Sequence, residues 1–205
     1  MKHPIWLVAT ALLAAPIVAQ APAGPPAVSQ DPAKAPSGNY VLDGRHASVI
    51  VRLPHAGGVS FSTFRLGTVA GTLNWNGTQP EASKTSITID MTSLQTPVPN
   101  FAAELIGDRF LKTSQFHDAQ FVSTSIQRTG PATGTIGGNL TFMGVTKPVT
   151  IDASLVGTNT GGRGPVIGFS GRMHFKRSDF GFNTLQGPIG DDVELLIDVE
   201  FDKAA

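Results

Sequence analysis

The chain has 205 residues, of which only 15% are charged, with 23 glycines, 12 phenylalanines and no cysteine. Its 15 basic and 15 acidic residues cancel, and no local cluster of Lys and Arg is present to attract nucleic acid or an anionic membrane surface. The absence of cysteine excludes a disulfide framework, a thiolate nucleophile and a zinc-thiolate site, while few charges and many glycines favour an all-β domain.

The first residues predict an export signal followed by a tether. Lys2 and His3 precede an apolar run that is too short to span a membrane, and small residues follow it, as is typical of a secretory signal peptide over residues 1–21. Residues 22–38 are rich in proline, alanine and glycine, so they are predicted to be a flexible linker that cannot bury enough apolar surface to fold. The folded domain is predicted over residues 39–203.

From Tyr40 onward apolar and polar residues alternate, which is the pattern of half-buried β-strands. The dipeptide Asn76-Gly77 predicts a type I′ turn within a hairpin of residues 72–90. Between residues 97 and 115 the apolar spacing becomes helical, after a Pro-Val-Pro-Asn entry that can begin a short helix. Further strands are predicted over residues 119–128, 133–143, 147–156, 166–176 and 192–202.

A second hairpin is predicted over residues 137–151, where a Gly-Val-Thr-Lys-Pro break interrupts two alternating runs. Pro148 cannot donate to a strand ladder, so it is predicted to begin the returning strand. A register slip of one residue would turn the apolar side chains outward. The residues predicted to face inward are Leu140, Phe142, Val149 and Ile151.

About eight or nine antiparallel strands, each apolar on one face, are therefore predicted with one short helix. Because that helix is too small to cover them, the strands must enclose their own apolar face, as either a sandwich or a barrel. An eight-stranded barrel is just wide enough to be filled by side chains or to hold one small ligand.

No catalytic or metal-binding set emerges from the sequence. The Gly-Phe-Ser-Gly string at residues 168–171 lacks the spacing of a nucleophile elbow, and Asp191-Asp192 at a strand start is typical of solvated turn residues. The histidines after the predicted signal peptide are too widely spaced to form a local metal-binding pair. They are His46, His55, His117 and His174.

The excess of phenylalanine points to an apolar interior, which is either a filled aromatic core or an open channel. Residue patterns alone do not separate these alternatives. Five phenylalanines lie on predicted strands at positions consistent with the inward face, and two flank the predicted helix. The strand residues are Phe121, Phe142, Phe169, Phe175 and Phe201, and the flanking residues are Phe110 and Phe116.

Several ordered motifs between Tyr40 and Phe201 resemble those of the YceI family, the periplasmic polyisoprenoid-binding-like proteins. They are Tyr-Val-Leu-Asp-Gly-Arg-His-Ala-Ser at residues 40–48, Ile-Asp-Met-Thr-Ser-Leu-Gln-Thr at 89–96, Gly-Asn-Leu-Thr-Phe-Met-Gly-Val-Thr-Lys-Pro-Val-Thr at 138–150 and Arg-Ser-Asp-Phe-Gly at 177–181. The chain departs from the family pattern near the predicted helix, with Leu111-Lys112 in place of Phe-Asp and His117 in place of proline. The resemblance therefore specifies the fold more closely than the ligand.

The resemblance implies an all-β, extended eight-stranded antiparallel lipocalin-like barrel with one short helix near one end, exported to the periplasm. It implies no enzymatic activity, no metal and no cofactor beyond a bound lipid. The expected function is to bind or carry a long apolar lipid, such as an isoprenoid or isoprenoid quinone, in the barrel interior. The predicted lining of that channel is Phe110, Leu111, Phe116, Phe121, Leu140, Phe142, Phe169, Met173 and Phe175.

A second function stays open from the sequence. The protein is alternatively a non-enzymatic accessory module that serves a membrane redox or stress-response partner. A transient partner in the inner membrane is compatible with either function, no nucleic-acid partner is expected, and the sequence does not indicate an oligomeric state.

Overall fold

The computed structural model describes residues 28–162 and 164–205, so the predicted signal peptide and the first part of the predicted linker lie outside the described residues. Within these ranges no helix is long and apolar enough to cross a membrane. The single α-helix described is α1, Phe101–Ile106. The strands are β1 Gly38–Leu42, β2 Ser48–His55, β3 Ser60–Leu66, β4 Val69–Trp75, β5 Lys84–Asp90, β6 Leu94–Gln95, β7 Asp118–Arg128, β8 Thr133–Phe142, β9 Val145–Asn159, β10 Val166–Lys176 and β11 Asp192–Lys203.

Eight of these strands close into an antiparallel barrel, as the family resemblance implied and as strand alternation alone, which also allowed a sandwich, did not decide. Their order around the ring is β1-β4-β5-β7-β8-β9-β10-β11, and β1 pairs with β11 to close it. The strands β2, β3 and β6 continue from β11 and extend the wall on one side. The barrel therefore has a closed ring near β1 and an end that is completed by β2, β3, β6 and α1.

Alternation places the apolar side chains inside. In β4, Val69, Leu73 and Trp75 are buried, and in β11 Val193, Leu195 and Phe201 are buried. The strands predicted from residue 119 onward are confirmed to within a few residues. Strand alternation was therefore a sound guide to which face of the sheet meets the interior.

The β8–β9 hairpin confirms the predicted antiparallel pairing but corrects its turn. Phe142 pairs with Val145, and the reversal is a two-residue turn in which Met143 and Gly144 have φ values of 49° and 77°. The predicted break over residues 144–148 is therefore wrong, because the strand resumes at Val145. Pro148 lies within β9, in a stretch that pairs with β8 and not with β10, so its missing N–H costs no ladder bond.

The predicted type I′ turn at Asn76-Gly77 is wrong, although β4 and β5 do pair antiparallel. Neither residue has the positive φ that this turn requires. Instead the Asn76 side-chain oxygen accepts hydrogen bonds from the backbone N–H groups of Thr78 and Gln79, at 3.2 and 2.9 Å. The asparagine side chain therefore stabilises a longer connection that ends in a 3₁₀ turn at Pro80–Ala82.

The predicted helix is shorter than the helical spacing suggested. It begins after Asn100 and ends at Gly107, whose backbone N–H bonds to the carbonyl of Glu104. Residues 107–116 then form turns rather than helix, and Phe110 and Leu111 are buried among them. This segment stands at the end of the barrel where β2, β3 and β6 complete the wall.

Part of the segment predicted as a linker lies against the barrel. Ser29 and Thr158 exchange two backbone hydrogen bonds, at 3.0 and 2.7 Å. Further along, the Tyr40 hydroxyl donates to the Pro36 carbonyl at 2.7 Å, and Ala35 is buried. Residues 28–37 therefore cover the end of the barrel that lies farther from α1.

Candidate ligand cavity

Two cavities follow one another along the barrel axis. The first, here called the Trp75 cavity, measures about 180 Å³, and the second, here called the helix cavity, measures about 160 Å³. Along β11, Ile197 lines the Trp75 cavity, Leu195 lines both and Val193 lines the helix cavity. The barrel interior is therefore a divided apolar space rather than a completely filled core.

The Trp75 cavity is walled almost entirely by apolar atoms from seven of the barrel strands. The Trp75 ring packs edge-on against Phe169, with ring centroids 5.8 Å apart, and Phe169 packs in the same way against Phe201 at 6.3 Å. Pro32, from the segment that covers this end of the barrel, also lines the cavity. Apolar cavities of this kind stay dry and accept apolar guests.

The helix cavity lies between the barrel wall and the turns that follow α1. Phe142 and Phe175 line it and pack edge-on against each other and against Phe180, whose ring centroid lies 5.2 Å from that of Phe175. Phe101 and Phe110 line it from the helical segment. Edge-on aromatic contacts of this geometry fix the orientation of the rings and thereby the shape of the cavity.

Eight of the nine residues predicted to line a channel do line one of the cavities. Phe121, Phe169 and Met173 line the Trp75 cavity, Leu140 lines both, and the helix cavity is lined by Phe110, Leu111, Phe142 and Phe175. Phe116 lines neither cavity, because its ring lies beside the β8–β9 turn, where a Cβ on Gly144 would come within 2.7 Å of it. Binding by any of these residues stays a prediction.

Other lining residues were missed at the sequence level. Trp75 and Phe64 both follow the two-residue alternation of their strands, which was a usable signal. Phe182 and Leu185 belong to a loop without periodicity, so no sequence pattern identified them. Cavity walls made by loops depend on long-range contacts that local spacing does not encode.

Arg177 is an unusual residue for the wall of an apolar cavity, because it carries a charge and yet is only 2% exposed. Its Nε donates to the Gly190 carbonyl at 2.9 Å and its Nη2 to the Ile189 carbonyl at 3.0 Å. Its Nη1 donates to the carbonyls of Phe182 and Thr184, at 2.9 and 2.6 Å. One guanidinium thus holds together a loop that forms the wall of the helix cavity.

The charge of Arg177 is balanced by backbone dipoles more directly than by a carboxylate. Burial lowers the pKa of Arg177, while the negative charge of Asp191 acts to raise it. The Asp191 carboxylate is itself bonded to Ser178, from the backbone N–H at 2.9 Å and the hydroxyl at 2.7 Å. This arrangement positions the loop and offers no obvious acid or base to a ligand.

Among the described residues, two groups outside the cavities bring together three potential metal ligands each, namely Asp43, His46 and Glu200, and Asp90, His117 and Asp118. In the first group, the Asp43 carboxylate already accepts two hydrogen bonds from the Arg45 side chain, at 3.0 and 2.8 Å. None of the six residues lines either cavity. These groups therefore stand apart from the interior site.

In the second of these groups, Asp90 and Asp118 are direct cross-strand partners on β5 and β7, an arrangement that like charges disfavour. His117 Nδ1 lies 2.8 Å from Asp118 Oδ1, and its Nε2 lies 3.7 Å from Asp90 Oδ1. The hydrogen bond to Asp118 and the charge of Asp90 raise the pKa of His117 above its ordinary 6.5. A protonated His117 thus offsets the repulsion between the two carboxylates.

This geometry predicts a pH-dependent contribution to stability. Because the folded-state pKa of His117 is raised, its contribution is fully present below 6.5 and is lost as the pH rises through the folded-state pKa. Asp118→Asn is expected to move the His117 pKa toward 6.5 in an NMR titration, because it removes the main cause of the shift. Asp152→Asn on β9 is the control, and an unchanged His117 pKa in Asp118→Asn would contradict the assignment.

Sequence comparison finds a match to the model of the YceI-like domain over residues 40–201. The chain belongs to the YceI-like family. This YceI-like protein is 34% identical over 165 residues to a UPF0312 protein of Shewanella oneidensis, with 79% of this chain and 86% of that relative covered. A UPF0312 protein of Shewanella baltica is also 34% identical, over 172 residues, with 82% and 90% covered.

Solved structures show the same fold. A Campylobacter jejuni YceI protein superposes on this YceI-like protein with a TM-score of 0.62 and 28% identity, covering 71% of this chain and 88% of that one. BcnA of Burkholderia cenocepacia gives a TM-score of 0.69 at 18% identity, covering 78% and 98%. A polyisoprenoid-binding domain from Saccharophagus degradans gives 0.62 at 15% identity, covering 80% and 98%. The predicted family and the barrel fold are thereby confirmed.

Proposed function

We propose that this YceI-like protein is a non-enzymatic periplasmic carrier that holds a long apolar lipid of the polyisoprenoid class inside its barrel. The observation that carries the proposal is the pair of apolar cavities, about 180 and 160 Å³, in line within one closed barrel. The polyisoprenoid-binding domain of Saccharophagus degradans, which has the same fold, supports the same class of ligand.

The energetics of such a complex are favourable. Burial of apolar groups contributes about 0.8 kcal/mol per CH₂, so each five-carbon isoprenoid unit contributes roughly 3 to 4 kcal/mol before costs. A few units exceed the ~4 to 15 kcal/mol that association costs, without many polar contacts. The apolar walls of both cavities therefore suit a ligand that is recognised mainly by its chain.

The composition of the cavity walls supports binding rather than catalysis. Among the described residues that line them, the charged ones are Arg128 and Arg177, and no carboxylate or histidine is present. General acid and base catalysis needs titratable groups near the ligand. Arg177 already donates its hydrogen bonds to four backbone carbonyls, so its evident task is to hold the cavity wall.

The test is native mass spectrometry of protein exported by a bacterial host and purified without detergent. We expect an added mass that organic extraction removes and that fragments as an isoprenoid chain. The mass of the polypeptide in the same spectra also shows where its N-terminus lies, and we expect that residues 1–21 are absent. Protein that is exported and folded but carries no lipid, and takes up none from prenyl alcohols, would contradict the carrier function.

A further inference from the structure

The two cavities meet at a constriction in the barrel interior. Four of the described residues line both cavities, and three of them are at most 7% exposed. These four residues, here called the constriction, are Ile89, Ala119, Leu140 and Leu195. Any chain that occupies both cavities must pass between their side chains.

The topology places Ala119 and Leu195 on strands that are not neighbours. Ala119 lies on β7 and Leu195 on β11, with β8, β9 and β10 between them on one side of the wall, and at Leu195 the strand β11 pairs with β2 rather than with β1. Ile89 is the direct cross-strand partner of Ala119 on β5, and Leu140 lies on β8, the strand on the other side of β7. Ala119 has the smallest side chain of the four, so a larger side chain at this position would narrow the passage.

Each cavity is too small to hold a chain of several isoprenoid units by itself. A cavity of about 150 Å³ in another protein accommodates one benzene molecule, so cavities of about 180 and 160 Å³ each accommodate roughly one five-carbon isoprenoid unit at rest. A chain of several units therefore has to extend through the constriction and displace neighbouring side chains.

We infer that Ala119 is a specificity-determining residue, which lets a lipid chain extend from one cavity into the other and so sets the chain length that the barrel prefers. This inference rests on the proposed carrier function. The alternative is that the two cavities are unrelated packing voids. A substitution that closes the passage distinguishes the two cases, because only a lipid chain that extends through the passage would lose affinity in a way that depends on its length.

The experiment measures the affinity of prenyl alcohols with one to eight isoprenoid units, all-trans where the chain has more than one unit. The sequence has two tryptophans, Trp6 and Trp75, and Trp6 lies in the predicted signal peptide. In protein from which that peptide has been removed, tryptophan fluorescence therefore comes from Trp75 and reports occupancy of the Trp75 cavity. Native mass spectrometry reports total binding. For the wild-type protein, affinity should rise by at least ~10-fold for each added unit until the interior is full.

Ala119→Leu is expected to abolish the gain in affinity from every unit beyond the first, because the larger side chain closes the passage. Ala153→Leu is the matched control, because Ala153 lines the Trp75 cavity but not the constriction. It should reduce affinity while the gain with chain length persists. Thermal unfolding of each variant checks that it is folded, and Ala119→Val replaces Ala119→Leu if the larger side chain prevents folding.

Leu195→Ala provides the opposite test, because it widens the passage and should shift the preference toward longer chains. The inference is overturned if the constriction variants and Ala153→Leu all show the wild-type dependence on chain length. It is likewise overturned if Ala119→Leu and Ala153→Leu lose affinity equally at every length. If the wild-type protein binds none of the alcohols and carries no lipid, the proposed function itself fails, which is a different and recognisable result.

Discussion

Arg177→Met is expected to lower the free energy of unfolding by about 3–5 kcal/mol, because it removes a buried guanidinium and leaves four partly buried backbone carbonyls without its N–H donors. The affected carbonyls belong to Phe182, Thr184, Ile189 and Gly190. Urea unfolding monitored by circular dichroism measures the change. Arg177→Lys keeps the charge but cannot reach four carbonyls with the same fork of donors, so it should recover only part of the loss.

Arg172→Met is the matched control for this prediction. The Arg172 side chain on β10 is 57% exposed and pairs with Glu194 at 2.9 Å, and pairs of this kind contribute at most about 1 kcal/mol. A loss in Arg177→Met that is no larger than the loss in Arg172→Met would show that the buried guanidinium does not hold the loop.

Phe175→Asp is expected to abolish lipid retention, because it places a carboxylate without a partner in the wall of the helix cavity. Phe175→Leu is the milder change. It removes the ring contacts with Phe142 and Phe180, whose centroids lie 6.3 and 5.2 Å away, and should cost about 1–3 kcal/mol of stability. Since it keeps the wall apolar but changes its shape, it should also alter the chain lengths of the bound lipid.

Lipid extraction with mass spectrometry, beside thermal unfolding, measures both effects. Phe61→Leu and Phe61→Asp are the controls, because Phe61 lies on β3 with its side chain 53% exposed. A Phe175→Leu protein that keeps the wild-type lipid distribution, as Phe61→Leu should, would contradict a ligand-lining role for Phe175. If Phe175→Asp unfolds the protein while Phe175→Leu leaves the bound lipid unchanged, Phe175 belongs to a structural core instead.

Most of the strands were predictable from the sequence because alternation is a local property. The inward phenylalanines of β7, β8, β10 and β11 followed directly from it, and the family motifs added the closure of the barrel. Turns were less predictable. At Asn76 a side chain bonded to the backbone in place of the expected tight turn, and at Met143 a residue other than glycine adopted a positive φ.

The interior was harder to predict than the walls. Whether a barrel is filled or hollow depends on residues that line its interior from strands that are not neighbours, such as Ala119 and Leu195, and their separation along the chain hides that relation. The role of Arg177 was hidden for the same reason. Its motif was recognisable, but its four acceptors lie 5 to 13 positions away in a loop without periodicity.

The closure of the barrel by its final strand has a consequence for biosynthesis. β11 pairs with β10 along its length, with β1 through Phe201 to Lys203, and with β2 through Glu194 to Asp198. These contacts join the two ends of the domain, so they cannot form until synthesis has delivered the residues from Asp192 to Lys203. A chain that stops before Asp192 leaves β1, β2 and β10 each with unpaired backbone along an edge, and such edges recruit neighbouring chains into aggregates.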